Sequence, residues 1–238
     1  KSIWSKGSAH VVSAPAEAWP TVPIHSQLIR KAAHSFKTQT AVGIEGVRPW
    51  HIGLLPEKAL EALATLLNFS EVAGIPPVTG ASVVFLPKPT GAERPIGILP
   101  TLCRLWCRCR RPQALAWERE HDRSYFWASS GRSSGQAVHL QGVRLEAARA
   151  EGLHAVALLT DLAKAYEYVN HGKLAQFAAA TGFPAPALQL CLATYSGARR
   201  LVTQSVCASW FDVGGQTIIA GCGVATALLK VYTLQLFD

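Results

Sequence analysis

The sequence predicts an α+β fold, in which helices and one β-hairpin lead into an antiparallel sheet backed by further helices. Three observations carry that expectation. Leu60, Leu63, Leu66 and Leu67 recur at helical spacing within 56–72. The runs 81–86 and 94–99 flank a Lys-Pro-Thr-Gly-Ala-Glu turn, the pattern of two paired strands. The apolar run 155–159 is too short for a helix and fits a buried strand, with a helix beginning near Leu162.

Taken in order, 1–24 carry Pro15, Pro20 and Pro23 without periodicity and read as a linker. Residues 26–36 place Leu28, Ile29, Ala32 and Ala33 on one side of a short helix, and 43–46 form a turn. Pro56 opens the next helix, where its missing N–H costs nothing. After the hairpin, 101–111 read as a helix that Pro112 ends or kinks. Leu102, Trp106 and Cys109 share one face of it, and Arg104, Arg108 and Arg111 another. Helices are expected over 136–150, 171–180, 184–195 and 224–237, and strands over 199–209 and 216–220, with a tight turn at Gly221-Cys222-Gly223. No internal repeat is visible, and the oligomeric state is left open.

Composition narrows the function classes. At 49% hydrophobic and 16% charged, the 238 residues build a core and are not a disordered chain. The net charge of +8 favours an anionic partner, of which nucleic acid is the commonest. The surplus is local: eight arginines lie between Arg94 and Arg132, against Glu118, Glu120 and Asp122. No apolar run approaches the roughly 20 residues that span a bilayer, and the start carries no secretory signal. The six cysteines lack the spacing of a disulfide framework, which favours a reducing compartment, the cytoplasm or nucleus. Cys103, Cys107 and Cys109 lack a matching second pair and are expected as buried thiols rather than metal ligands. Methionine is absent and the chain stops inside a predicted helix, so it is expected to be a segment of a longer translation product.

Three motifs compete. Gly131-Arg132-Ser133-Ser134-Gly135 fits the G-x-S-x-G of a serine hydrolase, with Asp161 and His171 downstream in the order of such a triad; the residues before it make a poor strand and no oxyanion segment is present. Gly221-Cys222-Gly223 hints at a dinucleotide-binding turn, but Thr226 stands where the third glycine belongs. The third is an ordered set. Asp161 falls where the apolar run ends, a costly place for a carboxylate unless it meets a cation or a metal, or caps a helix. Tyr166 follows, and Lys88 and Arg94 flank the hairpin turn far upstream.

From about Thr38 to Tyr232 this set resembles the reverse transcriptase domain of non-LTR, LINE-like retroelements. Val83-Val84-Phe85-Leu86-Pro87-Lys88-Pro89 and Glu93-Arg94-Pro95-Ile96-Gly97-Ile98-Leu99-Pro100 are similar to the family's fingers hairpin. Ala41-Val42-Gly43-Ile44-Glu45-Gly46 resembles its opening turn, with Glu45 in place of Asp, and 131–137 its loop before the palm. Asp161-Leu162-Ala163-Lys164-Ala165-Tyr166 resembles the palm motif of the first catalytic aspartate, with Val169 and His171 kept, and Ile219-Ala220-Gly221-Cys222 the next palm motif.

The resemblance implies a right-hand polymerase truncated to fingers and partial palm, the thumb absent: a linker and helix in 1–37, a fingers-like region in 38–152 and an incomplete palm in 153–238. It implies RNA-directed DNA synthesis, with an RNA template, a DNA primer, dNTP substrate and two Mg²⁺ ions. Asp161 and the Leu162 carbonyl would hold metal; Lys88 and Arg94 would grip the triphosphate; Tyr166 would lie under the sugar and reject a 2′-hydroxyl. Gly221 would admit template–primer, and Arg104, Arg108 and Arg111 would meet phosphates. There are departures. Glu167 replaces the family's second Asp, Ala220 its Gln, and no adjacent Asp-Asp pair occurs. One carboxylate does not hold two divalent ions, so residues 1–238 alone are expected not to polymerise. A degenerate, non-catalytic nucleic-acid-binding domain is the alternative.

Overall fold

The computed structural model describes residues 22–89, 91, 93–129, 131–157, 162, 164–203 and 206–238. Most of the predicted linker, Thr90 and Ala92 of the hairpin turn, and Asp161 lie outside the described residues. Among those described, the elements run α1 (Ser26–His34), α2 (Pro49–Ile52), α3 (Glu57–Ala73), β1 (Ala81–Pro87), β2 (Glu93–Ile98), α4 (Thr101–Glu120), α5 (Ser134–Ala150), α6 (His171–Ala180), α7 (Ala185–Tyr195), β3 (Arg199–Leu201) and α8 (Ala225–Phe237). The class is α+β, as the sequence predicts.

Local chemistry sets most helix ends. The His25 ring caps α1 by accepting from the Leu28 N–H at 3.3 Å. Gly74, at φ +64°, lets the chain leave α3 in the left-handed conformation, and the Ile75 N–H then returns to the Ser70 carbonyl. Asn170 caps α6 through the Lys173 N–H at 2.9 Å. Buried Leu60, Ala64, Leu67 and Glu71 turn one face of α3 toward the core.

Helix α4 is the axis of that core. It buries Cys103, Trp106, Cys107, Arg110, Ala114 and Trp117 along one side. Of the two outcomes expected at Pro112, an end or a kink, the helix does not end there but runs on to Glu120. A mid-helix proline costs one hydrogen bond and a clash; Trp117, fully buried beyond it and donating to the Thr181 carbonyl at 2.8 Å, holds the second half in place. Deeper in, Glu71 of α3 accepts from Trp106 Nε1 at 3.1 Å and from Arg110 Nε at 2.7 Å. Both charges are almost fully buried, where each needs the other. At the far end Lys230 of α8 bonds Glu118 and Ser129.

The sheet has the order β2-β1-β3. β1 and β2 form the expected antiparallel hairpin, with Val84 opposite Ile96 and Leu86 opposite Arg94. β3 joins β1 in parallel, with Ala81 beside Arg199 and Val83 beside Leu201. The described sheet is therefore mixed rather than antiparallel; antiparallel pairing beyond the hairpin is limited to single bridges such as Asn170 with Gln216. β1 is buried from Ala81 to Val83 and exposed from Phe85 onward, so the hairpin leaves the core and projects into solvent.

A second difference concerns 155–159. Residues 155–157 are exposed and non-strand, with Val156 94% accessible; 158 and 159 lie outside the described residues. A strand needs a neighbour for its backbone groups, and no described strand pairs with 155–157. After Leu162 the chain forms a turn at 164–168 and not a helix, with Lys164 at φ +52° and the Glu167 N–H returning to the Lys164 carbonyl.

Candidate functional site

Where the hairpin meets the 217–221 segment there is a small, solvent-open cleft. Its walls come from β1, from Pro95 and Gly97 of β2, from Tyr166 and Glu167, from Arg199 of β3, and from Thr217 to Ala220. Backbone bonds join the two chain-distant walls: the Ile218 N–H donates to the Tyr166 carbonyl at 2.9 Å, and the Thr217 N–H to the Val169 carbonyl at 2.8 Å. Tyr166 is thereby fixed at the cleft edge, half-buried against the core.

Two glycines let the hairpin approach. A Cβ on Gly97 would stand 2.3 Å from Ile219 Cγ2. A Cβ on Gly221, at φ +105°, would stand 3.2 Å from the Gly97 carbonyl. Gly221 is exposed, and the close approach it permits is to the hairpin backbone.

Thr217 is the strained element. It is β-branched yet sits at φ +78°, a conformation that persists only when its surroundings over-determine it. Besides its own N–H bond to Val169, its carbonyl accepts from His171 Nε2 at 2.7 Å and its hydroxyl from Arg199 at 2.5 Å. Burial pushes the His171 pKa down, so the ring is neutral and donates. Burial also lowers Arg199, to about 10, with Tyr195 and Glu167 opposing. Arg199 thus stays charged at neutral pH, and Glu167 supplies the described carboxylate of the cleft. Arg199 and Thr217 were missed in the sequence: nothing in a local pattern announces a threonine held at positive φ.

The predicted residues divide. Tyr166 lines the cleft, and Gly221 sits at its rim beside Ala220. Lys88 and Arg94 are exposed on the outer hairpin, do not line the cleft, and enter no salt bridge among the described residues. Arg94 lies three residues outward from Gly97, about 10 Å along the strand. Leu162 is exposed. Asp161, expected as catalytic residue and metal ligand, lies outside the described residues.

The arginine face of α4 is more engaged than its spacing suggests. Arg104 donates to Thr101 Oγ1 at 3.1 Å, and burial lowers its pKa against the opposing charge of Glu45. Arg108 stacks over Phe36 at 4.5 Å. Arg111 is exposed. Three other members of the cluster serve the fold: Arg110 pairs with Glu71, Arg123 with Asp238, and Arg132 with Asp122.

Ser133 is the N-cap of α5. Its hydroxyl accepts the Gln136 N–H at 3.2 Å, and Gln136 Oε1 accepts the Ser133 N–H at 2.8 Å, a complete capping box. His171, the histidine a triad would require, is buried on the Thr217 carbonyl. Among the described residues no three His, Cys, Asp or Glu side chains are arranged to hold a metal ion, and Glu167 alone does not supply the oxygen set a divalent cation takes. No described helix is long and apolar enough to cross a membrane. No protein-family model matches this sequence, and a search of curated proteins returns no match.

Proposed function

We propose that the chain is the fingers and partial palm of an RNA-directed DNA polymerase, which in its longer product adds dNTPs to a primer on an RNA template. One observation supports this most. Tyr166 and the 219–221 segment, assigned separately to two polymerase motifs, lie more than 50 positions apart in the chain and meet at one cleft against the hairpin. In this reading Tyr166 lies under the incoming sugar, Lys88 and Arg94 reach the triphosphate from the projecting hairpin, and Arg104, Arg108 and Arg111 contact phosphates. Asp161, with the Leu162 carbonyl, belongs to the Mg²⁺ part of the proposal. The sequence carries no adjacent Asp-Asp pair to share the metals with Asp161, so in this reading residues 1–238 alone bind nucleic acid without extending it.

The test is binding of a labelled RNA–DNA hybrid to the chain, followed by hydrogen exchange with and without nucleotide. Expected are a salt-dependent affinity, and slowed exchange over 164–168 and 217–221 on adding a dNTP, less so with the matching rNTP. Absence of hybrid binding at low salt overturns the proposal. Hybrid binding with no nucleotide-dependent protection favours the degenerate binding domain instead. Processive primer extension in Mg²⁺ by residues 1–238 would refute the expected inactivity.

A further inference from the structure

At the Gly221-Cys222-Gly223 turn lies a cavity whose lining includes Cys103, Cys107, Cys191, Cys222 and Tyr195. Cys107 Sγ of α4 and Cys222 Sγ of the turn are 3.5 Å apart. The turn runs close to α4 here: a Cβ on Gly223 would stand 3.2 Å from Cys107 Cβ. Tyr195, fully buried, turns its hydroxyl into this cluster without a hydrogen-bond partner of good geometry.

The geometry points to a modification site: Cys222 and Cys107 are a peroxide-oxidisable pair that closes as an intramolecular disulfide between the turn and α4. This goes beyond the nucleotide reading and stands independently of it.

Access favours Cys222 as the sulfur attacked first. It is 8% exposed and flanked by exposed Gly221 and Gly223, while Cys107 is 3% exposed. Chemistry favours the same sulfur. Hydrogen bonds from Cys107 and then Cys191 hold the Cys222 thiol well below the usual cysteine range, against the opposing effect of burial. Hydrogen bonding to Cys191 and Cys222, together with burial, pushes Cys107 up. Cys103 and Cys109, raised by burial to about 12, stay protonated and inert. The Cys222 thiolate attacks one peroxide oxygen, the O–O bond breaks, and hydroxide leaves, giving a sulfenic acid. Cys107 then attacks that sulfur and loses its proton; the S–O bond breaks and water departs. Two thiols and one hydrogen peroxide yield one disulfide and two waters. Closure brings the sulfurs from 3.5 Å to about 2.05 Å.

The reduced chain is treated with hydrogen peroxide, its free thiols are alkylated, and a non-reducing digest is mapped by mass spectrometry. Expected is a Cys107–Cys222 peptide pair lighter by two hydrogens and reversed by dithiothreitol, with two of the six thiols lost. Cys191→Ala keeps that pair; Cys107→Ala leaves Cys222 as a sulfenic acid trapped by dimedone. The inference is overturned if Cys222 stays fully alkylatable, or if it pairs with Cys191 or with the exposed Cys207. The map of the unsubstituted chain decides this even if a variant folds poorly.

Discussion

Helices α4 and α5 are similar in length, 20 and 17 residues, and opposite in what holds them. α4 has a proline in its interior and no side-chain cap at its start, yet nine of its residues are buried. α5 has a full capping box and no internal proline, yet none of its residues is buried. Local rules alone would rank α5 above α4. Most helical stability in proteins comes from tertiary packing rather than from local propensity, and α4 is fixed by its buried side chains. The contrast also runs along the chain, because the exposed run 155–157 follows α5.

The packed side breaks first. Glu71→Ala strands Arg110 and the Trp106 N–H in the core, and urea denaturation should show a loss of roughly 3–5 kcal/mol. Pro112→Ala sharpens the comparison from the other direction. It restores an N–H for the Arg108 carbonyl at an exposed position, and thermal unfolding should show a gain of up to about 3 kcal/mol if packing alone had carried α4 past the proline. A third test uses pH. His171 is held neutral, its folded pKa below the ordinary 6.5, so the unfolded chain binds the extra proton first. Its stabilising contribution is complete above pH 6.5 and is lost as pH falls toward the folded value. Chemical denaturation from pH 7 to 5 should record that fall, and His171→Gln, whose amide can still donate to Thr217, should flatten it. Ser133→Ala has the smallest effect, about 1 kcal/mol of local helix stability. Faster hydrogen exchange in 134–140 with an unchanged melting temperature is expected; a cooperative drop in that temperature would mean that α5 is packed after all.

Much of the fold was legible in advance, for a local reason. α1, α3, α6, α7 and α8 and the hairpin announce themselves through periodicity, caps and turn residues within a few positions of one another. Of the residues the resemblance singled out, Tyr166 lines the cleft and Gly221 stands next to it, beside Ala220. The passage of α4 through Pro112 was not legible, because Trp117 and the Thr181 carbonyl that receives it lie 64 positions apart. The parallel partnership of β3 with β1 spans a still wider gap, 118 positions from Ala81 to Arg199. The arginine cluster misled by proximity: its members are close in sequence, but Arg110 ends inside the core on Glu71, while Arg111 beside it faces solvent.

By itself the amino-acid order determined the class, most helix boundaries, the existence of the hairpin and the burial of the thiols on α4, since each depends largely on neighbours close in the chain. Only the tertiary structure decided that Thr217 would be pinned at positive φ by His171 and Arg199, that Gly97 and Gly221 would face each other, and that Cys107 would meet Cys222. Those contacts join positions scattered over more than a hundred residues, and a shape that arises from distant surfaces coming together leaves no mark on the short stretches that compose it.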